Sequence, residues 1–271
     1  MDLAPLFFHL TMDSATEFLF GESVNAQLGD RTAVSSLRDC ANQKMDWSEF
    51  IEAFDRANLT ATMRNRLMDV YYLYRPSSWS KDCKVVRQFA DYFIQRALAR
   101  SDQEKPEGGD YVFLEELLKE TRDPAVLRGQ LLNILVAGRD TTAGLLGWTW
   151  YWLARHPVVF SSLRQTILDT FGPYSSDISS ITFEGLKGCQ QLQHVLSEVL
   201  RLHPLVPENV RTAVRDTTLP RGGGPDGQSP VYVKAGQSVL YNVHVMQRRK
   251  DIWGEDAEDF RPERWVGYKP R

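Results

Sequence analysis

DPAVLRGQLLNILVAGRDTTAGLLGWTWYWLARHP, residues 123–157, decides the fold. Asp123 followed by Pro124 is a helix N-cap with proline at the first helical position. Pro157 must end the helix, because the residue before a proline avoids the α region. The spacing predicts one helix of over thirty residues between these marks, longer than is usual in globular proteins. Its most apolar part, Leu131 to Ala154, could cross a bilayer, but Arg139 and Asp140 interrupt its centre. Each would cost about 2.5 to 3.5 kcal/mol at mid-membrane, so the reading is a buried helix of a protein core.

The rest of the chain agrees. Its 271 residues are 42 % hydrophobic and 25 % charged, which excludes disorder and allows one large or two small domains. Lys and Arg total 32 against 35 Asp and Glu, and the net charge of -3 offers no basic field to nucleic acid. The first ten residues lack a basic n-region and contain Asp2 and His9, unlike a secretory signal. Cys40, Cys83 and Cys189 are odd in number and form no C-x-x-C pair, which argues against a disulfide framework or zinc site and for a reducing, cytosol-facing compartment.

Working outward, Asp46 and Glu49 form a capping box for a helix with Phe50, Phe54, Ala57 and Ala61 on one face, predicted to reach Tyr72. A second starts near Lys81 with Val86, Phe89, Phe93 and Ala97 on one side and ends in the polar run at 101–110. After the long helix comes one with Val159, Leu163 and Ile167, stopped by Gly172. Another carries Leu192, Val195, Leu196 and Val199 and closes at His203-Pro204. Beyond Pro207 short β-prone runs appear: VYVK and SVLY flank Ala235-Gly236 and predict a hairpin, preceded by a turn-rich loop GGGPDGQSP. With no repeat and no linker, the prediction is one mainly α domain with a small β portion.

Three features could carry chemistry. AGRDTTA at Ala137–Ala143 is odd inside a helix, since Gly138 costs about 1 kcal/mol against Ala and threonines are poor formers. Gly138 lets either a flat ligand or a crossing helix come close; Thr141 can bond back to a carbonyl, and Asp140 adds a carboxylate. Glu198 and Arg201 at i, i+3 lie off the apolar face; alone they read as a surface pair worth about 0 to 1 kcal/mol. Arg264 in FRPERW offers a planar guanidinium for a bidentate contact with Glu198. Elsewhere His156, His203 and His244 read as structural. The Gly222–Gly227 loop lacks a phosphate-loop G-K-[ST], and Trp148, Trp150 and Trp152 read as core filler on several sides.

The ordered occurrence of AGRDTT, EVLR, PENVR and FRPERW resembles the cytochrome P450 family of haem-thiolate monooxygenases. Leu6–Ser23 and RRKDIWG at Arg248–Gly254 resemble its fungal subgroup that hydroxylates n-alkanes and fatty acids. The resemblance implies a cytochrome P450-like helical fold, incomplete at both ends, as a single partial domain over residues 1–271. It also implies haem b, electrons from NADPH through NADPH-cytochrome P450 reductase, a hydrophobic small-molecule substrate, and, for the full-length family, the cytosolic face of the endoplasmic reticulum membrane. Carried over, Ala137 and Gly138 would lie over the distal haem face, and Thr141 with Asp140 would be catalytic, delivering protons to dioxygen. Glu198, Arg201 and Arg264 would form a structural triad, and Arg211 would meet a haem propionate. Asn133, Val136, Val206 and Pro207 would face substrate.

The departure is equally specific. The family's F-x-x-G-x-R-x-C-x-G loop, whose cysteine ligates the iron, does not occur in these 271 residues, nor do the amino-terminal anchor and W-x-x-x-R segment. None of the three cysteines has that context. The expectation is therefore no metal ligand within this sequence and an inactive chain on its own, with a non-catalytic scaffold or a helical interaction protein as the alternatives.

Overall fold

A computed structural model describes residues 2–31, 47–101, 111–173 and 181–267. The described residues are mainly helical with two small sheets, as the sequence predicts, and fall into two compact units, Met1–Gly144 and Leu145–Arg271. Among them no helix is long and apolar enough to cross a membrane.

The first unit contains α1 (Ala4–Phe20), α2 (Trp47–Arg66), α3 (Trp79–Ser101), α4 (Phe113–Glu120) and the first part of α5 (Pro124–Arg155). Its core is aromatic. Phe50 of α2 stacks on Phe89 of α3 with centroids 3.5 Å apart, and Phe20 of α1 stacks on Phe93 at 4.5 Å. Leu127, Leu131 and Leu135, at i+4 steps along α5, are fully buried in the same cluster. The predicted face of α3 holds, with Phe89 and Phe93 buried and Val86 and Ala97 packed against them. α2 is shorter than its periodicity suggests. Ala61 is exposed, the helix stops at Arg66, and after Met68 turns left-handed (φ 46°) residues Met68–Leu73 form a 3₁₀ turn. Val70, Tyr71 and Tyr72 are poor helix formers and bury too little here to compensate. Asp46, the expected cap, lies outside the described residues.

The second unit holds the rest of α5, α6 (Pro157–Phe171), α7 (Phe183–Gly188), α8 (Gln190–Leu202), four strands, α9 (Val243–Met246), α10 (Lys250–Trp253) and a 3₁₀ turn at Pro262–Trp265. α5 ends one residue before the His156-Pro157 junction, as predicted. Leu153, Leu163, Val195, Val199, Leu202 and Phe260 form its core. Trp152 packs against them, whereas Trp148 and Trp150 are 38 % and 44 % exposed, so the three tryptophans are not all core filler.

The predicted hairpin about Ala235-Gly236 does not form. β1 (Glu208–Thr212) pairs antiparallel with β4 (Ser238–Asn242), and β2 (Thr217–Gly223) pairs with β3 (Ser229–Val233). The Gly236 N–H donates to Ala213 O at 2.7 Å, and the Ala213 N–H donates to Gln237 O at 3.0 Å. The Ala235-Gly236 turn thus pairs with the β1–β2 junction and passes the chain between ribbons. The true hairpin tip is the glycine-rich loop: Gly222, Gly224 and Gly227 take φ of 117°, 75° and 69°, and the Gly222 N–H donates to Gly227 O at 2.9 Å.

Gly223 is tightest in this ribbon, because a Cβ there would lie 2.8 Å from Pro230 O and 3.1 Å from Ser229 O. Both are backbone atoms, so Gly223→Ala is expected to cost about 1–3 kcal/mol as overpacking strain. Hydrogen exchange should quicken at the β2–β3 amides and leave the α2–α3 amides unchanged; uniform exchange across both would contradict this assignment.

Candidate functional site

α5 is built with two unlike faces. Asp123 Oδ1 accepts from the Ala125 N–H at 2.8 Å and caps its start. The i+4 row Leu127, Leu131, Leu135 continues into Arg139, which is 3 % exposed. The sequence candidates Asn133, Val136, Ala137 and Gly138 are exposed, with Thr141 half-buried beside them. Asn133, Val136, Ala137 and Thr141 share one face by their i, i+3, i+4 and i+8 spacing, with Gly138 at its edge three residues before Thr141. A Cβ built on Gly138 would meet no described atom within 4 Å outside its own stretch of helix. The Thr141 hydroxyl donates to Ala137 O at 2.6 Å, the predicted back-bond. It holds the hydroxyl oxygen over the small-residue face with lone pairs left to accept.

Asp140 takes a different direction. Its Oδ1 accepts from Arg139 Nη1 at 3.2 Å and its Oδ2 from the Asn58 amide of α2. Arg139 also pairs with Asp55 of α2 at 2.5 Å. Burial pushes the Asp140 carboxyl above the ordinary carboxylate range against the opposing pull of Arg139 and Asn58. The sequence reading missed Asp55, Asn58 and the burial of Arg139. Two signals were available: Asn58 stands i+4 from Phe54 and one turn after Asp55, and Arg139 continues a leucine row.

In the second unit the candidates separate. Val206 and Pro207 are exposed, and Pro207 O accepts from the Val243 N–H at 2.7 Å. Arg211, exposed on β1, donates to Val210 O at 2.9 Å and lies over the Tyr241 ring.

Glu198, Arg201 and Arg264 do meet, and not at the surface. The Glu198 and Arg201 side chains are both 0 % exposed, joined by Arg201 Nε to Oε2 at 2.8 Å and Nη2 to Oε1 at 2.9 Å. The bidentate partner is therefore Arg201; Arg264 gives Glu198 a single contact, Nε to Oε1 at 3.3 Å, and spends its other donors on Asp256 and Trp253 O. Spacing i, i+3 within α8 lets one fork close on the carboxylate before a remote arginine can. The Arg261 N–H donates to Oε1 at 2.9 Å and Trp265 Nε1 to Oε2 at 3.0 Å. Trp265, Asp256 and the backbone of Arg261 were not foreseen, because their roles depend on a loop path that leaves no periodic signal. Burial raises the Glu198 carboxyl, but the Arg201 hydrogen bonds, the Arg261 N–H, the Arg201 charge and Trp265 together outweigh it and hold it below the usual range.

His203 closes α8 and stacks on Trp148, with centroids 3.7 Å apart and 6° between the planes. Its pKa is pushed down to about 4 by burial, then by the charges of Arg248 and His244. Cys83, in α3, has its thiol raised by burial, opposite to the lowered pKa of a metal thiolate, and Cys189 is buried between α7 and α8. Cys40 lies outside the described residues.

The cytochrome P450 family model matches residues 1–269. The chain is 49 % identical over 275 aligned residues to cytochrome P450 monooxygenase g430 of a Fusarium species, covering 99 % of this chain and 47 % of that protein. It is 47 % identical to cytochrome P450 52A10 of Candida maltosa (97 % of this chain, 50 % of the relative). To cytochrome P450 52E1 of Candida apicola it is 48 % identical (98 % and 50 %). It spans about half the length of these curated relatives.

Two pH responses follow from the geometry. The Glu198 carboxyl is lower in the fold than when unfolded, so its stability is present above the unfolded value of about 4.3 and is lost as pH falls through the folded value. Glu198→Gln should cost about 3 to 5 kcal/mol at neutral pH by leaving two guanidinium groups undercompensated. Denaturant melts against pH should also show a shallower acid limb; an unchanged limb would place the acid sensitivity elsewhere. His203 is likewise depressed. Its contribution is present above about 6.5, the unfolded value, and is lost as pH falls towards about 4. Its ring Cε1–H resonance should titrate near pH 4 by NMR, and Trp148→Leu should move that midpoint upward.

Proposed function

The chain belongs to the cytochrome P450 family, and from that premise we propose that it serves a haem-dependent monooxygenase that hydroxylates the alkyl chains of n-alkanes or fatty acids. The observation that carries this reading is the open Ala137–Gly138 face of α5 beside the back-bonded Thr141 hydroxyl. A flat macrocycle needs a helix surface without projecting side chains, and Gly138 leaves that space empty. The residues assigned to haem b are Ala137 and Gly138 on the distal side and Arg211 towards a propionate. Neither Cys83 nor Cys189 lies in a sequence context like the family's thiolate loop, so neither is assigned to the iron. Haem b, when bound, supplies the redox chemistry that activates dioxygen, with electrons from NADPH through NADPH-cytochrome P450 reductase.

The chain's own residues do the rest. Thr141 holds a hydroxyl oxygen at a fixed height above the Ala137 carbonyl, where it can accept a hydrogen bond and order a water. Asp140, one residue away with its pKa raised by burial, is the group able to take up and return a proton. Asn133 and Val136 on the same α5 face, and Val206 and Pro207 in the second unit, are assigned to a hydrophobic substrate. Membership of the family supports the cytosolic face of the endoplasmic reticulum membrane as the place of work.

Thr141→Val, nearly isosteric, tests the reading in the holoenzyme. Haem content and NADPH consumption should stay near those of the parent, while product formed per NADPH falls severalfold and hydrogen peroxide rises to match. An unchanged ratio would reduce Thr141 to a packing residue.

A further inference from the structure

The Asp140 carboxylate is held by groups to which nothing above gives a function. Asn58 of α2 donates its amide to Oδ2, and Arg139 donates Nη1 to Oδ1 at 3.2 Å. Arg139 is itself fixed from three sides. It pairs with Asp55 at 2.5 Å, and its guanidinium lies over the rings of Phe8 of α1 at 5.0 Å and Phe54 of α2 at 5.3 Å. Asp55 and Asn58 are one turn apart, so α2 grips two consecutive α5 residues at one place.

Stability alone does not explain this arrangement. Arg139 is buried with its Nε unpartnered, and a buried ion pair with an unsatisfied donor gains little over apolar packing. What the geometry does secure is the direction of the Asp140 side chain, which has 30 % of its surface exposed.

We propose that Asn58 and Arg139 are positioning residues that fix the Asp140 carboxyl, so that α2, through Asn58 and Asp55, governs the proton route to the Thr141 hydroxyl. The inference rests on the reading that Asp140 and Thr141 handle protons. The charged groups facing Asp140 are Arg139 from its own helix and Asp55 from α2, while α1 contributes the Phe8 ring to the Arg139 side.

The test uses the holoprotein with ¹³C-labelled aspartate, and the Asp140 carboxyl band is assigned in the infrared spectrum by its loss in Asp140→Asn. Asn58→Leu removes a donor to the charged form, so the Asp140 titration should move upward by about one pH unit. Asn58→Ala should move it the same way and serves if the leucine variant folds poorly. Asn58→Leu should also lower product per NADPH, with little further loss when combined with Asp140→Asn, since residues acting as a unit are not additive. A titration that stays in place in both variants, or losses that add in full, would overturn the positioning role. The titration is independent of Thr141→Val, so failure of the functional reading and failure of the clamp are told apart.

Discussion

A carboxylate without solvent must find all its hydrogen bonds within the protein, and Glu198 accepts five: two from Arg201 and one each from Arg264, the Arg261 N–H and Trp265. Arg201 then has donors left over, which it gives to Gln247 O at 2.8 Å, Ala257 O at 2.6 Å and Asp259 O at 3.1 Å. Residues 247–265 contain little regular structure. Their path is set by these backbone oxygens and by the groups that must reach Glu198. The whole C-terminal loop system of the second unit is thus folded around one ion pair on α8.

Such a pair is a poor source of net stability and a strong source of uniqueness. Desolvating both ions costs several kcal/mol each, which their attraction recovers only with complete hydrogen bonding. Glu198 and Arg201 approach completeness, so competing loop arrangements would leave a buried charge exposed to the full penalty. Arg139 in the first unit follows the same logic with less satisfaction, because Nε lacks a partner while Nη1 serves both Asp55 and Asp140. The better satisfied network suits a fixed scaffold, and the less satisfied one suits the proton-handling role proposed for Asp140.

Sequence legibility follows the range of the forces involved. Asp123-Pro124 and His156-Pro157 act within a few bonds, and the helix between them was readable to within a residue. The apolar face of α3 was readable because burial imposes a 3.6-residue period. The strand pairing was not, since Ala235-Gly236 and the Gly222–Gly227 loop are both good turns and only the ladder with β1 selects between their uses. The end of α2 escaped for a related reason: periodic residues continue past Arg66, but the buried surface does not. Motif order brought Glu198, Arg201 and Arg264 together as the structure has them, while the division of hydrogen bonds between Arg201 and Arg264 depended on three-dimensional paths.

α5 shows how a helix can carry poor helix formers on its exposed face. Gly138 and the threonines at 141 and 142 together cost about 2 kcal/mol against alanine. Each buried leucine of the opposite row contributes about 1.5–3 kcal/mol, and Leu127, Leu131 and Leu135 are all fully buried. The continuity of the helix is therefore decided on the core side. With that margin the exposed side can leave Gly138 bare and hold the Thr141 hydroxyl on Ala137 O. The Arg139 and Asp140 pair lies between the two faces, and it is the point at which packing from α2 can reach the exposed one.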